Sequence, residues 1–376
     1  MIVGCDAKRI VGNGTGLGSY GRTLVNDLAA IEDMQLRLYA PSPGRDDLRR
    51  QVEGHDNVVL CYPKKKGFLW RTHGMVADLV ADNVDVYHGL SGELPIGIRR
   101  SGVKSVVTIH DLIFLRHPEF YNFPDTKIYA WKFKKTLKEA DRIIAISECT
   151  RRDICYYGDI DEDRVSLVYQ SCAPRFTGDV SLDDLNRVKS KYGVPERYVL
   201  CVGTIEARKN IMLAVKSLGA LPEDVHLVAV GRATKYSQKV MEWAARERLA
   251  DRVHFMHGVP DEDLPALYNI AEAFVYPSVY EGFGIPIIEA ISCGLPVVAC
   301  TGSCLEEAGG PDCIYVAPDD TEAFANAVKQ VLKGAQGRET RVQLSREYIR
   351  RFFGADVAGQ VADIYRELLL SKGMQG

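Results

Sequence analysis

Two glutamates eight residues apart, Glu281 and Glu289, stand in a stretch whose residue types suit ligand binding: Tyr276 to Cys300, YPSVYEGFGIPIIEAISCGLPVVAC. A short apolar run, Ala273 to Tyr276, leads through a Pro-Ser turn into Glu281-Gly-Phe-Gly, then an apolar helix carrying Glu289, then the buried-strand run Pro296 to Cys300. In an open α/β sheet such a junction lies at the carboxyl ends of the strands, where ligands meet the unpaired N–H groups of helix N-termini. Gly282 and Gly284 lack the Cβ that would keep a ligand away from the backbone. The plainer reading is a loop with two solvated acids.

A second group of chemical residues is Gly203-Thr-Ile-Glu-Ala-Arg-Lys-Asn210, with a helix expected from about Asn210. Arg208 and Lys209 suit a diphosphate, Lys as a point charge and Arg as a fork. A helix N-terminus disfavours cations, so their position there implies a compensating anion. Further on, a glycine turn, Gly231-Arg232, follows the next strand, and His257 to Leu264 follows another. In that last loop, apolar Val259 and Leu264 with open backbone groups suit a flat base, or form a plain loop.

In the first half, His88 and His110 are each expected just after a strand, in Tyr-His-Gly-Leu-Ser and Thr-Ile-His-Asp-Leu. Two histidines at strand carboxyl ends of one sheet point to a ligand cleft, and His110, followed by Asp111, is the stronger candidate. Gly16-x-Gly18-x-x-Gly21 has the form of the dinucleotide fingerprint, but that motif needs its first glycine directly after the strand and an acid ending the next one. Here about eight residues intervene, so the loop is read as facing a phosphate or sugar, or as structural. Two stretches mix aromatics with cations, Tyr62 to Arg71 and Tyr129 to Lys135; they are solvated helix faces or interfacial patches for anionic headgroups.

These residues require a scaffold of alternating strands and helices. Strands are expected at Met1–Asp6, Gln35–Ala40, Asn57–Cys61, Val84–Tyr87, Val103–Ile109, Arg142–Ile146 and Val165–Tyr169. Helical patterns intervene at Gly18–Ala30, Asp46–Val52, Leu69–Ala81, Asp125–Glu139 and Glu148–Tyr156. The strand pattern restarts after an aperiodic linker, Ser171 to Asp183, at Tyr198–Gly203, Val225–Val230, Val253–Phe255, Ala273–Tyr276, Pro296–Cys300 and Ile314–Val316. Such alternation means parallel sheets with helices on both faces. The chain therefore divides into residues 1–172 and 173–352. An amphipathic helix within 353–376, striped by Val357, Val361, Ile364, Tyr365 and Leu368, is expected to return to the first domain.

Composition narrows the class. With 376 residues, 46% hydrophobic and 26% charged, the chain suits two globular domains. A net charge of -3 argues against nucleic-acid binding. The N-terminus MIVGCDA lacks a charged leader, and no apolar run suits a membrane span. The ten cysteines are scattered with no C-x-x-C pair, which makes zinc improbable and a reducing cytoplasm the natural location.

The segment Glu281-Gly-Phe-Gly-Ile-Pro-Ile-Ile-Glu289 resembles the E-x7-E motif of retaining, group 1 glycosyltransferases of the GT-B fold, the group that includes phosphatidylinositol mannosyltransferases and bacterial glycogen synthases. Gly203 to Asn210, Gly258 to Leu264, Ser147-Glu-Cys-Thr150, Glu306-Glu-Ala-Gly309 and the C-terminal helix fit the same resemblance. It implies two Rossmann-like domains facing a cleft, the second binding the nucleotide sugar. By position, Lys209 and Arg208 would hold the donor diphosphate and Glu289 the ribose. Backbone N–H groups at Phe283, Gly284 and Ile285 would hold sugar hydroxyls, with Glu281 beside the donor sugar. His110 would contact that sugar from the first domain, and Gly16 would lie near the phosphates. Many relatives carry Arg where this chain has Thr204, which places more weight on Arg208.

The expectation is a retaining hexosyltransferase using no cofactor and no metal, because Arg208 and Lys209 meet the charge that grows on the leaving diphosphate. Asp159-Ile-Asp161 has a metal-binding D-x-D form, but it and the Asp-Glu-Asp runs at 161–163 and 261–263 are read as solvated loops. Whether Glu281 forms a covalent adduct or the acceptor attacks on the leaving face is open. The substrates are a nucleotide-sugar donor, GDP-mannose ahead of a UDP-sugar, and a glycan or polyprenyl-linked acceptor, with a peripheral membrane contact. The rivals are an epimerase or phosphorylase of the same shape, and a non-catalytic sugar-nucleotide-binding subunit.

Overall fold

The structure, a computed structural model, describes residues 1–64, 67, 69–353 and 356–373. It divides into two compact units: Met1–Gln170 with Asp356–Gly376, and Ser171–Ala355.

Unit 1 is a parallel sheet of seven strands: β1 (Ile2–Asp6), β2 (Gln35–Tyr39), β3 (Val58–Cys61), β4 (Val86–Gly89), β5 (Lys104–Ile109), β6 (Arg142–Ala145) and β7 (Val165–Leu167). Their spatial order is β3-β2-β1-β4-β5-β6-β7, so the winding reverses between β1 and β4. Side chains alternate between two cores with the strand period of two. Val3, Cys5, Leu36, Val106 and Ile144 face one core, while Tyr39, Tyr87, Val107, Ile109 and Ile143 face the other. The Gly16–Ala29 helix covers the first face together with the C-terminal Val357–Gly373 helix, whose stripe of Val361, Tyr365 and Leu368 is buried there. Each such burial stabilises by about 1.5–3 kcal/mol.

Unit 2 is a parallel sheet of six strands: β8 (Tyr198–Val202), β9 (His226–Val230), β10 (Val253–Met256), β11 (Ala273–Tyr276), β12 (Val297–Cys300) and β13 (Ile314–Val316), in the order β10-β9-β8-β11-β12-β13. The reversal here falls between β8 and β11.

Local differences from the sequence reading have identifiable causes. His88 lies within β4 instead of after it, paired in register with Cys5. Val84 N–H closes the preceding helix on the Leu79 carbonyl and the Asp85 carboxylate accepts the Ile2 N–H, so pairing starts later. The expected Leu69–Ala81 helix opens with a wider π turn, Trp70–Gly74, and becomes regular only at Met75. The stretch after β1 contains a short helix, Lys8–Gly12. Trp70, read as part of an interfacial patch, is buried, its Nε1–H donating to Asp78 at 2.7 Å; Lys65, Lys66 and Phe68 of that stretch lie outside the described residues.

Candidate functional site

In open α/β sheets ligands bind beyond the carboxyl ends of the strands where the winding reverses. In unit 2 that point carries the second group of chemical residues. After β8 the chain turns at Gly203 (φ +147), and a Cβ on Gly231 would fall 1.8 Å from the Gly203 carbonyl oxygen, so the two turns can abut only with glycine at 231. Arg208 and Lys209 then occupy a 3-10 turn, Ala207–Lys209, and left-handed Asn210 (φ 51) separates it from the Ile211–Ser217 helix. The cations therefore precede the helix instead of sitting in its first turn.

Their compensating anion belongs to the chain itself. Lys209 Nζ lies 2.6 Å from Glu281 Oε1, and Arg208 Nη1 lies 2.9 Å from Glu281 Oε2. Lys209 also donates to the Tyr276 hydroxyl at 2.7 Å, and Arg208 to the Tyr280 carbonyl at 2.7 Å and Glu206 at 2.8 Å. The backbone locks the two loops together, Val279 N–H donating to the Arg208 carbonyl at 2.9 Å. Burial opposes ionisation of Glu281, yet Lys209 and Arg208 hold its pKa below the usual glutamate value. Burial likewise works against the Lys209 charge, and Glu281 more than restores it. A small recess adjoins, lined by Gly203, Thr204, Lys209 and Tyr276.

Phe283, Gly284 and Ile285 follow Glu281 directly. Phe283 is buried edge-to-face on Phe352, with ring centroids 5.4 Å apart. The Cys304 thiol donates to the carbonyls of Glu281 and Phe283, fixing the loop from beneath. A Cβ on Gly284 would fall 2.8 Å from the Ala308 side chain, so this glycine admits a neighbouring helix, a role the sequence reading had given to a ligand. Ile285 opens the Ile285–Ser292 helix, with Pro286 in its first turn, where the missing N–H costs nothing.

Glu289 lies on that helix and accepts the Tyr268 hydroxyl at 2.9 Å. Burial pushes its pKa up to about 7, against the pull of the Tyr268 hydrogen bond. Val259 is partly exposed in the loop before the Leu264–Ile270 helix, which Leu264 opens. Asp263 corrects the sequence reading: it is buried, not solvated, and binds Arg187, Lys191 and the Tyr192 hydroxyl at 2.7–2.8 Å. That cluster ties the loop to the Leu182–Tyr192 helix.

Unit 1 carries His110 and Gly16. His110 directly follows β5; its Nε2 donates to the Leu90 carbonyl at 2.9 Å, so Nδ1 accepts from the Gln170 amide at 3.2 Å. Burial lowers its pKa to about 4, the Leu90 hydrogen bond opposing, so the ring is neutral near pH 7. Tyr20 stands edge-on to it at 4.7 Å. His88 is wholly buried between the Tyr365 hydroxyl at 2.6 Å and Thr108 Oγ1 at 2.8 Å, a structural link to the C-terminal helix. Gly16 is the exposed first residue of its helix, and a Cβ there would meet nothing within 4 Å.

Unit 2 thus brings Arg208, Lys209 and Glu281 into direct contact, while Glu289 has separate partners. Sequence reasoning missed Tyr276, Tyr268, Cys304 and Gln170. Tyr276 reads as the apolar end of a strand and nothing in the sequence singles out Tyr268; only their packing shows what their hydroxyls bind. Among the described residues no group of three or more His, Cys, Asp or Glu is placed to hold a metal ion, and no helix is long and apolar enough to cross a membrane.

Comparison with known proteins agrees with this architecture. Residues 183–351 match the family described as glycosyl transferases group 1, and residues 14–171 match glycosyltransferase family 4. O-antigen chain mannosyltransferase B of Escherichia coli is 27% identical over 372 residues, spanning 94% of this chain and 96% of that protein. Sucrose-phosphate synthase of Thermosynechococcus elongatus superposes with a TM-score of 0.78 at 21% identity, over 99% of this chain and 100% of that one. Anabaena HepE, solved with UDP and glucose, superposes with a TM-score of 0.75 at 18% identity, over 97% and 99%. The two parallel sheets are those of a GT-B glycosyltransferase, and the chain is a glycosyltransferase whose second half is a group 1 glycosyltransferase domain.

Proposed function

We propose that the chain is a retaining, metal-independent hexosyltransferase that moves a sugar from a nucleotide diphosphate donor to a glycan or polyprenyl-linked acceptor in polysaccharide assembly. The observation that carries this reading is the Arg208–Glu281–Lys209 cluster at the reversal point of the second sheet. When the sugar–phosphate bond breaks, negative charge grows on the departing diphosphate, and fixed cations in a water-poor site stabilise it. Lys209 has three protons, of which Glu281 and Tyr276 take two, so one remains for a phosphate oxygen. Arg208 and Lys209 supply the charge that a divalent ion would otherwise bring.

In this reading Glu289 accepts from the ribose hydroxyls, and the base lies against Val259 and Leu264. The amides of Phe283, Gly284 and Ile285 hold sugar hydroxyls, His110 contacts the sugar, and Gly16 leaves backbone open to the phosphates. Retention rests on the resemblance of Glu281 to Glu289 to the E-x7-E motif. Two cations on one carboxylate lower its nucleophilicity, which favours attack on the leaving face over an adduct on Glu281. The acceptor oxygen then bonds to the sugar carbon and its proton passes to the departing phosphate oxygen.

GDP-mannose is the favoured donor, supported by the Escherichia coli relative's name; the UDP and glucose in the Anabaena structure keep a UDP-sugar as the second reading. The enzyme is read as cytoplasmic and peripherally membrane-bound, the membrane contact being supported by the Phe123–Glu139 helix, which exposes Phe123 (75%), Ile128 (51%) and Trp131 (50%) among lysines. Flotation with anionic but not zwitterionic vesicles is expected, and no flotation with either removes the membrane reading. For the chemistry, Lys209→Ala and Glu281→Ala are each expected to lower sugar transfer by about 10² or more. Activity within about twofold of the parent in both variants would sink the assignment.

A further inference from the structure

The cluster at the reversal point of the second sheet offers hydrogen bonds to an anion but no net charge. Arg208 and Lys209 share Glu281, and Arg208 also pairs with Glu206 at 2.8 Å, so two cations stand against two carboxylates. A diphosphate is charged on each phosphate and gains a further charge as it leaves a sugar, and taking such an ion out of water is costly unless a cation meets it. Thr204, in the wall of the adjoining recess, brings none. The missing charge has to come from a neighbouring element.

The turn after β9 is that neighbour. The β8–β9 ladder runs on past the strand ends: Gly203 N–H donates to the Val230 carbonyl at 2.8 Å and Ile205 N–H to the Arg232 carbonyl at 3.2 Å, which sets Arg232 beside Thr204. Thr234 Oγ1 donates to the Ile205 carbonyl on the same side. From β10, Gly231 N–H is taken by the Met256 carbonyl at 2.9 Å, and His257 Nδ1 donates to the Gly231 carbonyl at 2.5 Å. The backbone is therefore held from both sides. The Arg232 side chain, by contrast, is exposed and has no hydrogen bond or ion pair among the described residues. Most exposed arginines are solvated charges; this one stands on a fixed backbone, one strand away from a charge-neutral anion site. Neighbouring strands lie about 4.8 Å apart, a gap that an extended arginine spans, and its guanidinium gives two parallel N–H groups to one phosphate.

We infer that Arg232 is a binding residue for the donor diphosphate and supplies the net positive charge that the Arg208–Glu281–Lys209 cluster lacks. The inference rests on the function proposed above. It is tested on the full chain by calorimetry with GDP and UDP, and by competition with inorganic pyrophosphate, which shares only the diphosphate with them. The variants are Arg232→Gln, Arg232→Lys and Lys239→Gln, the last removing an exposed cation further along the Lys235–Arg246 helix. Arg232→Gln is expected to weaken both the tighter-binding nucleotide and pyrophosphate by about tenfold or more. The salt dependence of binding should flatten with it, since one screened charge has gone. Arg232→Lys should recover most of the loss and Lys239→Gln should stay within about twofold of the parent, while the melting temperature without ligand is unchanged in all three. A change within about twofold for Arg232→Gln overturns the inference. So does a loss confined to the nucleotide with pyrophosphate unaffected, which makes Arg232 a contact of the base or ribose, and so does an equal loss in Lys239→Gln, which makes the effect one of diffuse charge. A parent protein that binds neither GDP nor UDP would instead strike at the proposed function itself.

Discussion

The two sheets each place a cluster of acids and cations where the winding reverses, and the clusters differ in how fully their charges are committed. In unit 1, Arg71 and Lys132 face Asp6 and Glu93, and the Asp6 side chain is 1% exposed beneath Arg71. In unit 2, Arg208 and Lys209 share one enclosed acid, Glu281, with only half-exposed Glu206 beside them. A buried acid capped by its own cation is scaffolding, because breaking such a pair strands a charge away from water. Two cations on one acid keep hydrogen-bonding capacity for a further anion, which is what a departing diphosphate needs. The same residue types thus serve stability in the Asp6–Arg71 pair and, in the function proposed above, chemistry around Glu281.

Arg71→Ala gives the sharpest test of that contrast. It is expected to lower unfolding free energy by about 3–5 kcal/mol in chemical denaturation, with Asp6→Asn plus Arg71→Met costing much less. A single-variant loss under about 1 kcal/mol would erase the distinction between the clusters.

Glu289 supplies the next test. Its folded pKa of about 7 lies above the unfolded glutamate value, so its contribution to stability is present below about 4.3 and is lost as pH rises through 7. The parent protein is expected to lose roughly 3 kcal/mol relative to Glu289→Gln between pH 4 and 8. Parallel pH curves for the two proteins would show that the carboxyl is not held in an apolar setting. If Glu289 accepts from the ribose as proposed, nucleotide binding should move oppositely, weakening below pH 7 as that carboxylate is protonated.

Burial holds His110 neutral against the pull of the Leu90 hydrogen bond, and Gln170, which donates to its Nδ1, is the last residue of the first stretch of unit 1. In Gln170→Glu the new carboxylate accepts from Nδ1–H and favours the imidazolium, so the His110 pKa should rise by roughly one unit or more. Nitrogen-15 chemical shifts against pH measure it, and an unchanged titration would show that the side chain at 170 does not act on Nδ1. The smallest effect is expected from Tyr276→Phe, which removes one acceptor from Lys209. A loss of about 1 kcal/mol, read as less than tenfold in transfer, is anticipated; a loss as large as that of Lys209→Ala would make the hydroxyl part of the chemistry.

Much of this was legible in residue order. The short, near-continuous apolar runs of strands such as Val106 to Ile109, and the alternation of such runs with helices, specify doubly wound parallel sheets before any contact is known. The stripe Val357, Val361, Tyr365 and Leu368 announced a helix in search of a buried surface, and it packs beside β1 in unit 1. Glu281, Arg208 and Lys209 stood out by type and by place at strand ends. Other features were hidden because their signal is non-local. His88 and His110 look alike in sequence, yet a register shift of β4 buries one between Thr108 and Tyr365 and leaves the other at a strand end. Asp263 reads as one acid in a charged loop, and only a helix about 70–80 residues earlier makes it a buried anchor.

Sequence alone determined the periodicities, the breaks and the inventory of charges, because these follow from local backbone geometry and from which side chains water will release. Tertiary structure decided which charges neutralise one another. The Glu281 carboxylate meets Lys209 and Arg208 across more than seventy residues of chain, and Arg71 meets Asp6 across sixty-five. Coulomb energy depends on separation in space and on burial, and neither is written in the order of residues.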